Sequence, residues 1–297
     1  MTSPRSLMIQ SVLYENAPNN IVQAAAALAN SAGLARDAGI VGEWSYLVGD
    51  SSAKPVLDNA HLDRIGDEVA AAGGVVRYEF FGANLGHGGG QNRLAELADS
   101  DLLLILDSDS QLAPDAVGVL AETVNGSVGV ADARQLPLEH PKDYDTGTGE
   151  TSWCSGACSM TRRSTFEELG GFDHEAFFKY HDDIDYSWRL RLAGYRVVYA
   201  PAAALFRDQR LSRDGAWRLG VPDSYYSAEA ALMLAYKYSR PDVVTRLSKV
   251  FSGGDDDAQR ALAEFHRRRT GGILPTPLDG DHRVAQFVEG NCGVHRF

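Results

Sequence analysis

Two acidic clusters, far apart along the chain, are the residues whose types and spacing could do chemistry. The first is Asp107-Ser108-Asp109, directly after the apolar run 102–106, and the second is Asp182-Asp183-Ile184-Asp185, at the start of a helical stretch. In extended backbone Asp107 and Asp109 point the same way, and their hard oxygens suit a Mg²⁺ or Mn²⁺ ion that also binds substrate phosphates. Together the clusters indicate an enzyme that moves a sugar from a nucleotide diphosphate.

Each cluster also has a simpler explanation. An Asp-x-Asp sequence after a strand can be a capped turn. Acids are favoured in the first turn of any helix, where Asp185 can also pair with Arg189. The apolar strand before Asp107 favours the metal interpretation, and three carboxylates within four residues exceed what capping needs. A general base must lie beside the acceptor hydroxyl, so the second cluster is the candidate base.

Further candidates follow other strands. The glycine-rich turn 84–92 allows close approach of the backbone to a ligand, although a plain flexible connection is as good an explanation. It is not a dinucleotide fingerprint, because Gln91 stands where a third glycine is needed. Asp50 could bind a base or ribose, or cap its own turn. Trp153 could stack on a sugar ring, or simply be packed.

The elements that must position these residues form an alternating pattern. Strand-like and helix-like segments alternate through the first half of the chain. This predicts an α/β fold with a mostly parallel sheet flanked by helices, whose ligands bind beyond the carboxyl ends of the strands. Asp50, the glycine-rich turn and the first acidic cluster should therefore gather at one edge. We divide the chain into a catalytic domain, residues 1–206, and a mainly helical C-terminal extension, residues 207–297.

Composition limits the classes of function. The chain has 297 residues, of which 44% are hydrophobic, so it can bury a large core. A net charge of -12 without a long basic stretch argues against nucleic acid as a partner. Three cysteines without a framework spacing indicate a reducing compartment. No window approaches the ~20 apolar residues of a membrane span. We expect a cytoplasmic protein, with peripheral membrane contact still open.

The order of the motifs over roughly residues 7–201 resembles that of the family 2 glycosyltransferases, which have the GT-A fold. The resemblance rests on six motifs in order: Leu13-Tyr14-Glu15-Asn16, Gly49-Asp50-Ser51-Ser52, Asn84 to Asn92, Asp107-Ser108-Asp109, Ser155 to Phe178, and Asp182 to Arg189. The Phe177-to-Tyr180 stretch before the last motif is similar to rhamnosyl- and galactofuranosyl-transferring members.

The resemblance implies an inverting transfer from a UDP- or dTDP-sugar to a hydroxyl of a carbohydrate or other acceptor, assisted by Mn²⁺ or Mg²⁺. It implies that Asp183 is the base, that Asp182 holds the acceptor or tunes the base, and that Asp109 binds the metal directly with Asp107 nearby. The implied nucleotide-binding residues are Tyr14, Glu15, Asp50, Asn84, Gly86, Asn92, Asp107 and Ser108. Trp153, Gly156 and Asp182 are the residues expected on the sugar and acceptor side.

One departure from the family leaves strict metal dependence open. Many members place a metal-binding His after the strand that follows the base motif, whereas residues 202–208 contain none. Arg207 could offset the diphosphate charge instead, Asp208 could be a ligand, or His282 or His295 could fold back. The extension is expected to serve assembly, as in a homo-oligomer, or acceptor binding. The alternative functions are another metal-dependent phosphate enzyme, either a phosphohydrolase or a nucleotidyltransferase, and a sugar-nucleotide-binding relative without turnover.

Overall fold

The computed structural model describes residues 3–137, 139, 142–207 and 223–288. The strands in these ranges are β1 (Arg5–Leu13), β2 (Val41–Asp50), β3 (Val75–Phe80), β4 (Leu102–Leu106), β5 (Gln111–Leu112), β6 (Val128–Leu136), β7 (Cys158–Arg162) and β8 (Arg196–Phe206). The helices are α1 (Pro18–Asp37), α2 (Asn59–Ala71), α3 (Gly86–Ala95), α4 (Ala116–Thr123), α5 (Arg163–Glu168), α6 (Asp182–Leu192), α7 (Asp223–Lys237), α8 (Pro241–Ser252) and α9 (Asp256–Thr270).

The strands form one mixed sheet in the order β3-β2-β1-β4-β7-β6-β8-β5. The four strands β3, β2, β1 and β4 run parallel, as the alternating pattern predicts. Strand β7 runs antiparallel to both β4 and β6. The described part of the chain between β6 and β7 contains no helix, so the chain returns directly as an antiparallel neighbour. The α/β class is therefore confirmed, with parallel pairs among the four N-terminal strands and again between β6 and β8.

Helices cover both faces of the sheet. All five residues of β4 are buried, as expected for a strand covered on both sides. Alternate side chains of the central strands belong to different cores. Leu7 and Leu104 pack with α1, α2 and α4, whereas Met8 and Leu103 pack with α3, α5 and α6. The acidic clusters therefore lie at the ends of elements that are fixed by packing on both sides.

Strand β8 corrects one expectation and positions a cation. The sequence pattern predicts a strand from Tyr195 to Tyr199 that Pro201 closes, but β8 continues to Phe206. The pairing with β6 shifts register between Ala200 and Ala204, so the proline lies in an irregularity where no backbone N–H is needed. The continued strand pairs with β5, which begins two residues after Asp109. Arg207 is thereby brought beside the first acidic cluster.

The described helices of the C-terminal extension pack against α6. Ile184 and Trp188 of α6 belong to one buried cluster. The same cluster contains Leu232 of α7, Tyr238 directly after α7, and Phe265 of α9. The rings of Trp188 and Tyr238 meet edge to face, with their centroids 4.7 Å apart. The extension and the helix that carries the second acidic cluster therefore share a hydrophobic core. Within the described ranges, no helix has the length and apolar character needed to cross a membrane.

Candidate functional site

The first acidic cluster forms a tight turn at the carboxyl end of β4. The N–H of Asp107 donates to the carbonyl of Ala157 (2.9 Å), and the N–H of Ser110 closes the turn onto the Asp107 carbonyl (3.0 Å). Ser108 is buried, the Asp109 side chain is only 7% exposed and the Asp107 side chain is 26% exposed. The backbone of the turn therefore begins beside Ala157.

The second acidic cluster opens α6 after an unusual turn. Tyr180 and His181 have φ angles of 66° and 60°, in the left-handed region that side chains other than glycine seldom adopt. Such backbone is found most often at functional sites, where the surrounding fold enforces it. The turn places Asp182 and Asp183 at the start of α6, where the positive end of the helix dipole favours carboxylates. Both side chains are nearly buried.

The two clusters meet at the segment 155–157. The N–H of Gly156 donates to Asp183 Oδ2 (3.0 Å), and the adjacent carbonyl of Ala157 accepts the N–H of Asp107 (2.9 Å). Two neighbouring residues thus contact one cluster each. A side chain on Gly156 would be crowded, because a Cβ there would lie 3.1 Å from His87 Cε1. The fold therefore brings the distant acids to one short stretch of backbone.

His87 is a residue of this site that sequence reasoning named only as part of the glycine-rich turn. Its Nδ1 lies 2.6 Å from Asp182 Oδ2. Burial alone lowers the pKa of His87, but the carboxylates of Asp182, Asp107 and Asp183 outweigh it and raise this pKa to about 9. The ring is therefore a cation at neutral pH. The sequence did contain a signal for this residue. His87 is the one titratable side chain in a turn that otherwise consists of glycines, amides and one Leu.

Arg207 is the cation on the other side of the site. Its Nη1 lies 2.7 Å from Asp107 Oδ2, and its Nε lies 3.8 Å from Asp109 Oδ1. Both the side chain of Arg207 and that of Asp109 are largely buried, so little water screens the interaction. Arg207 directly follows β8, in the stretch where many family 2 members have a metal-binding His and this chain has none. Arg207 therefore balances part of the negative charge of the first cluster.

The donor set fits a metal only in part. In the described ranges no group of three His, Cys, Asp or Glu side chains could hold a metal ion, so His282 completes none. Asp208 and His295 lie outside the described residues. Mg²⁺ and Mn²⁺ commonly use one or two carboxylates together with substrate phosphates and water. Asp109 and Asp107 therefore fit an ion shared with a bound diphosphate.

Asp50, the expected nucleobase ligand, is fully buried at the end of β2. Its Oδ1 accepts the N–H of Ser52 (2.9 Å), while its Oδ2 accepts the N–H of Val56 (2.7 Å) and the hydroxyl of Tyr78 (2.6 Å). The carboxylate of Asp50 therefore caps the turn that follows β2, as the second of the two explanations given for this residue requires. Its contact with a base stays a prediction.

Tyr14 and Glu15 lie at the neighbouring end of β1. Tyr14 is 52% exposed. Glu15 has a φ of 55°, and its N–H donates to the hydroxyl of Ser52 (2.9 Å). The ends of β1 and β2 are thus tied together, with an aromatic ring left open to a base.

The glycine-rich turn is the start of α3 and packs against the segment before α6. A side chain on Gly86, whose φ is 70°, would collide with the carbonyl of Phe178. Asn84 Oδ1 accepts the N–H of Gly86 (3.0 Å). Asn92 pairs with both backbone groups of Phe172, at 2.8 and 2.9 Å. Asn84 and Asn92 therefore shape this junction, and their contact with a nucleotide stays a prediction.

Trp153, expected to stack on a sugar, is only 2% exposed and belongs to the core shared with α6 and the extension. The Nζ of Lys142 lies 4.3 Å from the centroid of its ring. Packing therefore accounts for this residue. Gly156, the other residue expected on the sugar side, lies at the meeting point of the clusters.

Comparisons of the sequence with known proteins find glycosyltransferases. The profile described as "Glycosyl transferase family 2" matches residues 56–136. The chain is 29% identical to the N-acetylglucosaminyl-diphospho-decaprenol L-rhamnosyltransferase of Mycobacterium tuberculosis (strain ATCC 25618 / H37Rv), over 47% of this chain and 62% of that protein. It is 40% identical to the rhamnosyltransferase WbbL of Escherichia coli (strain K12), over 21% of this chain and 23% of that protein. The chain thus matches less than two thirds of either relative's length.

Two solved structures share the fold. A mannosyltransferase of Pyrobaculum calidifontis, in complex with GDP-Man and Mn²⁺, is 16% identical with a TM-score of 0.55, covering 92% of this chain and 85% of that one. GalNAc-T7, with UDP, GalNAc and Mn²⁺, is 12% identical with a TM-score of 0.60, covering 92% and 60%. The fold is that of the GT-A glycosyltransferases. The family profile and the rhamnosyltransferase relatives support a family 2 glycosyltransferase, which the chain resembles over the matched residues.

Proposed function

We propose that this chain is an inverting glycosyltransferase that moves a sugar from a UDP- or dTDP-sugar to a hydroxyl acceptor, with Asp183 as the base. The observation that carries the proposal is the meeting of the two acidic clusters, where Asp183 and Asp107 contact adjacent residues of one segment. One cluster lies where a diphosphate would bind and the other where an acceptor would be deprotonated. The sugar would lie between them.

Asp183 is held in a fixed orientation for this role. Its Oδ2 accepts the N–H of Gly156 (3.0 Å) and its Oδ1 accepts the N–H of Ile184 (2.8 Å). Hydrogen bonds to the ionised form favour a charged carboxylate, as a base requires. Asp183 takes the proton as the acceptor oxygen forms its bond to the anomeric carbon. The bond from that carbon to the diphosphate breaks, and its electrons leave with the diphosphate.

The leaving diphosphate gains negative charge, which the site must balance. Arg207, beside Asp107 and Asp109, is a fixed cation in a poorly hydrated position. Mn²⁺ or Mg²⁺, held by Asp109 with Asp107 nearby, would stabilise the same charge as a Lewis acid when bound. The Mn²⁺ in both structural relatives supports this ion as the cofactor to test first.

The relatives indicate which substrates to test. Both sequence relatives are rhamnosyltransferases, and the name of one specifies N-acetylglucosaminyl-diphospho-decaprenol as acceptor. We therefore propose L-rhamnose as the sugar, carried by dTDP or UDP, and a lipid-diphosphate-linked sugar as the acceptor class. Such an acceptor would bring the protein to the cytoplasmic face of a membrane as a peripheral protein. A homo-oligomer through the extension is proposed with it.

The test is a transfer assay with UDP- and dTDP-sugars, with and without Mn²⁺, and with the anomeric configuration of the product read by NMR. Asp183→Asn is expected to lower turnover ~10²–10⁴-fold, the usual contribution of a general base. Binding of UDP or dTDP should persist in this variant. Asp256→Asn, an exposed position on α9, is the matched control.

Three results would contradict the proposal. Undiminished transfer by Asp183→Asn would remove Asp183 from the chemistry. Donor cleavage that is independent of any acceptor would favour the phosphohydrolase alternative. A wild-type protein that binds nucleoside diphosphates without cleaving any donor would favour a binding protein without turnover.

A further inference from the structure

His87 carries a polar atom that the described fold leaves without a partner. Its Nδ1 is held by Asp182 at 2.6 Å, whereas its Nε2 is buried and has no hydrogen-bond partner among the described residues. A buried polar atom without a partner costs free energy, so native structures seldom retain one without a reason. The open nitrogen of His87 therefore points to a group that arrives from outside the chain.

The surroundings of the ring locate this group. His87 Nε2 lies against the backbone of Gly156, where an added Cβ would be only 3.5 Å from it. Gly156 itself contacts Asp183, and its neighbour Ala157 contacts Asp107. The nitrogen thus faces the short segment at which the base and the strand-end carboxylates meet, the same place at which the proposed reaction releases its diphosphate.

The chemistry of the ring selects an anion. Because Asp182 holds Nδ1 and the ring is charged at neutral pH, Nε2 carries a proton and can only donate. Charge-assisted hydrogen bonds to phosphate or carboxylate oxygens are the strongest that such a donor makes. The nearby carboxylates would repel a diphosphate, and Arg207 offsets this only on the side of Asp107. A second cation is needed on the side of α6.

We propose that His87 is a donor-binding residue whose Nε2 donates to an oxygen of the distal phosphate of a nucleoside diphosphate, while Asp182 holds the ring in place through Nδ1. This inference rests on the proposed function. It assigns the glycine-rich turn a specific ligand contact, and it gives Asp182 the task of orienting a phosphate-binding ring. His87 and Arg207 would then bind the diphosphate from opposite sides.

Two substitutions test the contributions of the two ring nitrogens independently. The amide nitrogen of Asn can occupy the position of Nδ1, and that of Gln can occupy the position of Nε2. His87→Asn therefore keeps the contact with Asp182 and loses the proposed phosphate contact. His87→Gln does the reverse. Calorimetric affinities for UDP, UMP, dTDP and dTMP would be measured in one buffer, for both variants and the wild type.

We expect the wild type to bind one of the diphosphates more tightly than its monophosphate. In His87→Asn this preference should fall about 10-fold or more, as for the loss of a hydrogen bond to a charged group, with monophosphate affinity unchanged. His87→Gln should retain a larger part of the preference. A greater loss in His87→Gln than in His87→Asn would overturn the inference, because His87 would then act only through Asp182.

His61, which lies on α2, provides the matched control. Its Nδ1 also lies 2.6 Å from an aspartate, the N-cap residue Asp58. His61→Asn should change neither affinity, and unfolding temperatures will show that all variants are folded. A diphosphate preference that survives in His87→Asn overturns this inference and leaves the proposed function intact. A wild-type protein that binds neither diphosphate contradicts both.

Discussion

Each acid of the site has different hydrogen-bond or ion-pair partners, and these partners indicate different roles for the acids. Asp183 is oriented by two backbone N–H groups, Asp182 by His87, and Asp107 by Arg207. Asp185 differs, because it is fully buried and pairs with Arg189 at 2.7 Å, as the spacing of four residues predicted. Asp185 therefore stabilises α6, whereas Asp183, whose side chain contacts Gly156, is the acid that we propose as the base.

Removing the guanidinium of Arg207 tests the charge balance at the scale of a residue. We expect Arg207→Gln to weaken binding of UDP or dTDP ~10–100-fold in the presence of EDTA, the loss typical of a charged hydrogen bond. Saturating Mn²⁺ should recover part of this loss if Asp109 and Asp107 hold an ion with the diphosphate. Isothermal calorimetry with EDTA and with Mn²⁺ measures both effects.

Arg196→Gln is the control for this experiment, because Arg196 forms a surface pair with Glu150 at 3.1 Å. Equal affinities of wild type and Arg207→Gln in EDTA would show that Arg207 does not bind the diphosphate. Wild-type affinity that does not respond to Mn²⁺ would instead contradict the expected cofactor.

At the scale of elements, α7 determines where α6 lies. Lys237 at the end of α7 reaches Asp185 of α6 and Asp173 before it, each at 2.6 Å. The hydroxyl of Tyr238 also donates to Asp185 Oδ1 (3.1 Å). Burial raises the pKa of Asp173, but Lys237 outweighs it and holds that pKa below its usual value. The start of α6, and with it Asp183, therefore depends on contacts from the extension.

Lys237→Met tests this coupling. It removes the cation that Asp173 and Asp185 share, although Asp185 keeps its pair with Arg189. The free energy of unfolding should therefore fall by up to ~3–5 kcal/mol, the range for a broken buried pair. Because the pKa of Asp173 is depressed in the folded state, its share of the stability is present above its ordinary pKa. That share is lost as the pH falls, so the difference from wild type should shrink in acid. Urea unfolding at several pH values measures this.

The exposed Lys249 on α8 supplies the control variant Lys249→Met, which should change stability by less than ~0.5 kcal/mol. A small effect of Lys237→Met at neutral pH, or a difference that grows in acid, would show that the pair does not stabilise α6.

At the scale of the whole molecule, the described part of the extension shares a buried hydrophobic cluster with α6. Phe265 of α9 is fully buried in the same cluster as Trp188 of α6, and its ring lies 6.0 Å from that of Tyr236. A change in the extension should therefore be felt at the site, although we divided the chain at residue 206. That division stays a prediction.

Phe265→Ala tests whether the described parts unfold together. It should lower the free energy of unfolding by ~3–5 kcal/mol through the cavity that it leaves. Amide hydrogen exchange, followed by mass spectrometry, should accelerate equally in the protected amides of β1–β4 and of α7–α9. Ile273→Ala, at a position that is 57% exposed, is the control. Faster exchange in α7–α9 alone would show that the extension is a separate unit.

The sequence by itself determined the elements and their order. A buried apolar strand before Asp107 and the alternation of strands with helices are local patterns, and the structure reproduces both. The mainly helical character of the extension was likewise predicted from the sequence, and its described residues include α7, α8 and α9. Local periodicity and the positions of glycine and proline are properties of neighbouring residues, which is why they can be read without a fold.

Only the tertiary structure decided how the side chains are used. Asp50 and Asn92 fit nucleotide-binding motifs, yet their hydrogen bonds go to other groups of this chain, most of them backbone groups. His87 and Arg207 become site residues because α3 and the end of β8 bring them to acids far along the sequence. The partner of a side chain depends on packing between distant segments, and no local pattern encodes that choice.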